Sequence, residues 1–193
     1  MDAFAHAVEA LTGGQANPMS DALARDAVRT ITKWLPIAYA DGSNLEAREK
    51  MILASSFAGM AFTNALVHLG HSIGHTLGAQ FHIPHGIACS AALPEVIEYA
   101  ARTECEKVRM VCEAMGKEVD ENASWKEVGE TARLAIRTLA KSVGMPTLEE
   151  LSVPREEIPR IAGLVTGDTG FAIIPYRITA AKIGEILNAA YSA

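Results

Sequence analysis

Apolar residues recur at three- and four-residue spacing along almost the whole chain, and residues that favour helix starts and stops stand between the runs. A strand needs alternation instead, and only Phe171 to Ile174 offers a candidate. Ser20 is placed to cap a helix over Asp21 to Tyr39, and Ser43 with Glu46 forms a capping box ahead of a long run from Leu45 to about Gly78. A helix from Ile87 should reach about Tyr99, bent or ended by Pro94. The next runs from Thr103 to Met115 and stops at Gly116, while Ser124 with Glu127 opens a run to Val143 that Gly144 and Pro146 close. Thr147 with Glu150 starts a short helix, and Thr179 starts the last, Ala180 to Tyr191. The expectation is an all-α, bundle-like single domain over residues 1–193.

Composition narrows the function classes. A net charge of −6 without any Lys/Arg cluster argues against a nucleic-acid partner. The longest weakly polar stretch, Met51 to Ala61, is too short to span a bilayer, so no membrane role is expected. The three cysteines (Cys89, Cys105, Cys112) are odd in number and sparse, which points to reduced, packed thiols and a cytoplasmic setting. No glycine-rich strand–turn–helix unit is present to cradle a phosphate, so no nucleotide-binding domain is expected within the chain.

The chemistry is concentrated in histidine. Five of the six histidines lie between His68 and His85, and the sixth, His6, stands four residues after Asp2. At about 100° per residue, a four-residue step puts both partners within about 40° on one helix face, which holds for Asp2 with His6 and for His71 with His75. Asp2, His6 and any two of His71, His75, His82 and His85 make a four-donor site. Three imidazoles and one carboxylate suit Zn²⁺ or Fe²⁺. Gly70, Gly74 and Gly78 form a stripe that serves either close approach of another helix or a ligand lying against it.

At these residues the chain resembles the iron-containing (group III) alcohol dehydrogenases, in particular their C-terminal helical domain. The similarity lies in the opening Asp2-Ala3-Phe4-Ala5-His6-Ala7-Val8-Glu9, in Ala16 to Ala24, in Asp41 to Met51 and in His71-Ser72-Ile73-Gly74-His75 through Phe81-His82-Ile83-Pro84-His85-Gly86. It continues through Leu93-Pro94-Glu95-Val96 to Pro175-Tyr176-Arg177-Ile178-Thr179 and so covers essentially the whole chain. The wording from Gln80 to Gly86 is most similar to the alcohol dehydrogenase part of bifunctional aldehyde–alcohol dehydrogenases.

The resemblance implies that Asp2, His6, His71 and His85 hold Fe²⁺ or Zn²⁺, and that His75 faces nicotinamide and substrate as general base. It assigns no role to His82. The family usually has glycine where His68 stands, and a side chain there is expected to crowd the pocket or supply a spare ligand. The implied reaction is NAD(P)-dependent hydride transfer between a short primary alcohol and its aldehyde. The family's N-terminal nucleotide-binding domain lies outside this chain, so the chain alone is expected to be inactive, with exposed apolar surface, including the glycine stripe and His75, favouring a homo-oligomer. Two other readings remain at this level: a non-enzymatic metal-binding helical module, and a subunit that works only with a separate nucleotide-binding chain.

Overall fold

The computed structural model describes residues 1–192, so Ala193 lies outside the described residues. Among the described residues ten α-helices follow one another: α1 (Asp2–Thr12), α2 (Pro18–Ala40), α3 (Leu45–Ala65), α4 (Leu69–Phe81), α5 (His85–Ala91), α6 (Leu93–Ala100), α7 (Cys105–Ala114), α8 (Trp125–Ser142), α9 (Ile158–Val165) and α10 (Ala180–Ala189). No strand occurs among the described residues. The all-α expectation holds, and Phe171 to Ile174 is no strand: Thr169–Ile173 forms a 3₁₀ turn opened by Asp168, whose side chain accepts from the Gly170 amide.

Most helix ends match their local chemistry. Ser124 and Glu127 form the expected reciprocal capping box on α8, and Gly116 (φ 73°) and Gly144 (φ 65°) take the left-handed conformation that ends a helix. Elsewhere the cap lies beside the expected residue. Asn17, not Ser20, is the N-cap of α2, with Pro18 in the first turn and Ser20 as its box partner. At α3 the Ser43 hydroxyl is spent on Asp41, so Asn44 caps the Ala47 amide. Thr147 and Glu150 exchange the bonds of a capping box, but only a turn follows. Helix α9, opened by Pro159 in its first turn, had no cap in the sequence to announce it.

The core is built around α1. Phe4, Ala5, Ala7, Val8, Ala10 and Leu11 are fully buried, so this short helix is covered on every side. Ala54, Ala58, Ala61 and Ala65 make a small-residue face on α3, and α3 packs on both α1 and α2. Behind the core, Glu95 on α6 is buried and takes a hydrogen bond of 2.7 Å from Arg137 Nε on α8; Arg137 also donates to the Ala189 carbonyl at the end of α10. A buried carboxylate requires such a partner.

The largest departure from the sequence reading is at Leu66. The run expected to continue from Leu45 to Gly78 breaks there, with Leu66 at φ 63°, and α3 and α4 meet at 105°. No single helix among the described residues is long and apolar enough to cross a membrane; only this bent pair has the combined length and composition. The expected break near Pro94 falls just before it, at Ala92, and Pro94 then sits in the first turn of α6.

The bend also resolves the glycine stripe. A Cβ on Gly74 would lie 2.4 Å from Cys89 Sγ and 2.8 Å from the Cys89 backbone, so α5 rests directly on α4 there. A Cβ on Gly70 would lie 2.9 Å from Glu9 Oε1. Gly70 and Gly74 are buried by the chain's own helices, not exposed as expected.

Candidate metal centre

Three helix ends meet at one point. The first turn of α1 brings Asp2 and His6, the N-terminal half of α4 brings His71 and His75, and the first residue of α5 is His85. Gly86 makes the meeting possible, because a Cβ there would lie 2.8 Å from Asp2 Cβ. His85 Nε2 lies 3.6 Å from Asp2 Oδ1, and His6 Nδ1 lies 3.8 Å from Asp2 Oδ2. The His71 ring centroid is 4.4 Å from that of His6 and 5.7 Å from that of His85.

Two polar atoms here are buried without a hydrogen-bond partner, His71 Nε2 and Asp2 Oδ1. Unpaired buried polar atoms are costly and uncommon, and a cation between them would satisfy both. One donor atom from each of Asp2, His71, His85 and Cys89 lies within 4.8 Å of all the others. His6 stands just outside that group, its ring stacked on Phe62 at 4.2 Å between centroids. Burial, then the nearby His71, push the His6 pKa down, so it stands ready as a neutral imidazole. Cys89 differs in chemistry: burial, with Glu9, Asp2 and Asp168 nearby, drives its pKa far up, so it is a protonated thiol. Cys105 and Cys112 are unpaired, as expected of packed thiols.

His75 points to the open side, its side chain 44% exposed and its ring stacked on His85 at 5.6 Å. Its Nδ1 lies 3.0 Å from Asp168 Oδ2. Asp168 is held in turn by the Ser72 hydroxyl at 2.9 Å and the Gly170 amide at 2.8 Å. Burial alone would raise the Asp168 pKa, but these hydrogen bonds outweigh it and hold the carboxyl below its ordinary value.

The remaining two histidines stand apart from the donor group. His82 is exposed and ends α4 in a left-handed conformation (φ 55°). His68 is buried behind His71, with Nε2 2.9 Å from Thr12 Oγ1 and Nδ1 3.1 Å from Glu9 Oε1. It therefore neither crowds the open side nor offers a spare donor to the group.

Sequence reasoning missed two residues that organise this site. Glu9 is fully buried, and its oxygens accept from the amides of Gly70 (2.6 Å) and His71 (3.1 Å) and from His71 Nδ1 (2.5 Å). A signal existed: seven residues after Asp2, Glu9 falls about 20° from it on the helix, a lone carboxylate in an apolar segment. Asp168 gave no such signal, because it is 93 residues from His75 and only the fold joins them.

Burial alone would raise the Glu9 pKa, but His68, His71 and the Gly70 amide together hold it at about 2, against an ordinary value of 4.5. A depressed carboxyl contributes stability that is present above its unfolded value and lost as pH falls through the folded one. The chain should therefore lose stability between about pH 5 and pH 2, and Glu9→Gln should flatten that slope in denaturation followed by circular dichroism.

Comparison with known proteins fits this geometry. The family model for the "Fe-containing alcohol dehydrogenase family, C-terminal" matches residues 1–191. The chain belongs to this family. A 1,3-propanediol dehydrogenase of Citrobacter freundii is 38% identical over 192 residues, 99% of this chain and 49% of that protein. An NAD-dependent methanol dehydrogenase of Bacillus methanolicus is 34% identical, over 97% of this chain and 49% of its own length. The crystal structure of a 1,3-propanediol oxidoreductase superimposes with a TM-score of 0.93 at 38% identity, over 99% of this chain and 50% of that one. An alcohol dehydrogenase from Oenococcus oeni also superimposes with a TM-score of 0.93, at 33% identity. The chain of this iron-containing alcohol dehydrogenase family member spans about half the length of the curated relatives it matches.

Proposed function

We propose that residues 1–193 form one helical domain that holds the metal of an NAD(P)-dependent alcohol dehydrogenase, with Asp2, His6, His71 and His85 as ligands and a short primary alcohol or its aldehyde as substrate. The observation that carries this reading is the pair of buried, unpartnered atoms, His71 Nε2 and Asp2 Oδ1, beside His85. Family membership supports it, as do relatives named for 1,3-propanediol and methanol. The fourth ligand is His6 and not Cys89, because a neutral imidazole binds without losing a proton whereas a thiol must first become a thiolate. When bound, Fe²⁺ or Zn²⁺ supplies Lewis-acid polarisation of an alcohol oxygen.

The chain's own residues supply the rest. With Nδ1 turned to Asp168, His75 keeps Nε2 free to take the hydroxyl proton. The Asp168 carboxylate accepts from Nδ1–H, fixes the ring and stabilises the imidazolium that forms. The exposure of His75 lets that proton pass on to solvent. The nicotinamide nucleotide binds outside these helices, on the N-terminal domain characteristic of the family.

The test separates binding from turnover. The purified chain should take up about one Fe²⁺ or Zn²⁺ per molecule. With NAD⁺ or NADP⁺ and a panel of short alcohols it should yield no reduced cofactor at 340 nm, whereas a nucleotide-binding domain added in trans should restore activity. Turnover by the chain alone on the order of 1 s⁻¹, the scale of intact enzymes, would overturn the division of labour. Absence of metal uptake would overturn the ligand assignment.

A further inference from the structure

Glu9 is a fully buried carboxylate on α1, among the equally buried Phe4, Val8, Ala10 and Leu11 of the same helix. Removing a carboxylate from water costs several kcal/mol unless donors surround it. Here they do. Its Oε1 accepts from the Gly70 amide at 2.6 Å, and its Oε2 accepts from the His71 amide at 3.1 Å and from His71 Nδ1 at 2.5 Å. Gly70 and His71 lie in the first turn of α4, whose own N-cap, His68, makes no side-chain cap bond. The carboxylate of one helix thus caps another, 61 residues away.

The consequence for His71 follows from proton counting. A neutral imidazole carries one N–H and one lone pair. A carboxylate 2.5 Å from Nδ1 requires the N–H at that atom, which leaves the lone pair on Nε2. Nε2 is the buried atom without a partner, on the same side as Asp2 and His85. His68 packs against Glu9 from behind, anchored to Thr12, and a Cβ at position 70 would meet Glu9 Cδ at 3.1 Å, so glycine there is what lets the carboxylate come this close to the α4 amides.

We propose that Glu9 is the positioning residue of the metal centre: it fixes His71 in the Nδ1–H tautomer with Nε2 bare toward the ion, and clamps the first turn of α4 in the same contact. This rests on the proposed metal reading and adds a residue that touches no ion. Carboxylates that orient ligand histidines in this way typically contribute 10- to 100-fold in metal affinity.

Two measurements on the full chain test it. In the metal-free wild-type protein with ¹⁵N-labelled histidine, long-range ¹H–¹⁵N correlation should show His71 protonated at Nδ1. Protonation at Nε2 would overturn the proposal without any variant having to fold. Second, Glu9→Gln keeps one oxygen for the α4 amides but loses the charge, so its melting temperature at neutral pH should fall, and at a temperature where the variant is still folded Zn²⁺ affinity should fall by about 10-fold or more in titration calorimetry. A folded Glu9→Gln chain that binds Zn²⁺ within about threefold of wild type would reduce Glu9 to a helix cap and sink the proposal. A wild-type chain that takes up no Zn²⁺ would instead overturn the metal reading together with the role built on it, so the two failures are distinct.

Discussion

Replacing His71 with alanine should lower the affinity of the chain for Zn²⁺ by at least about 100-fold, beyond what loss of an orienting partner alone costs. His71 is the most constrained member of the group, almost wholly buried, gripped by Glu9 at one ring nitrogen and unpartnered at the other. Its loss removes a donor and also leaves the Glu9 carboxylate short of one. Titration calorimetry together with metal analysis after dialysis reads the effect. His6→Ala should behave similarly, whereas Cys89→Ser should keep its metal. The opposite pattern, with binding surviving His6→Ala and lost in Cys89→Ser, would move the fourth ligand to Cys89, whose sulfur lies 3.7 Å from both ring nitrogens of His85.

Gly74→Ala should destabilise the fold by about 3 kcal/mol or more, at or above the upper end of ordinary overpacking. The added methyl would press on the Cys89 backbone at 2.8 Å as well as on its sulfur, so a rotamer change cannot relieve it and α5 must move. For a chain of this size the melting temperature should fall by about 10 °C. Because α5 begins with His85, metal affinity should fall too. Gly59→Ala gives the contrast: nothing lies within 4 Å of the added atom, and inside α3 alanine should stabilise by about 0.5–1 kcal/mol. Equal effects of the two substitutions on thermal melts would mean that the α4–α5 contact is looser than its geometry states.

The sequence alone determined whatever depends on near neighbours. Helical content followed from spacing, and the ends of α7 and α8 followed from Gly116, Ser124, Glu127 and Gly144, because capping is settled within about four residues. The pairing of Asp2 with His6 was legible for the same reason, being one helical turn. What the sequence left open required contacts between distant segments. Nothing local marks the break at Leu66, since the amides it frees in α4 are satisfied by Glu9 on α1 and not by a residue beside them. The choice of two donors among His71, His75, His82 and His85 was likewise undecidable from spacing. Their roles diverge only because α4 turns by 105° to bury His68 behind His71, while Gly86 lets α5 bring His85 beside Asp2. Asp168 reached His75 by the same route, through packing of α4 on α9. Local chemistry fixes which residues are able to carry charge, protons or a metal. Tertiary packing decides which of them meet, because burial and direction are properties of the assembled helices.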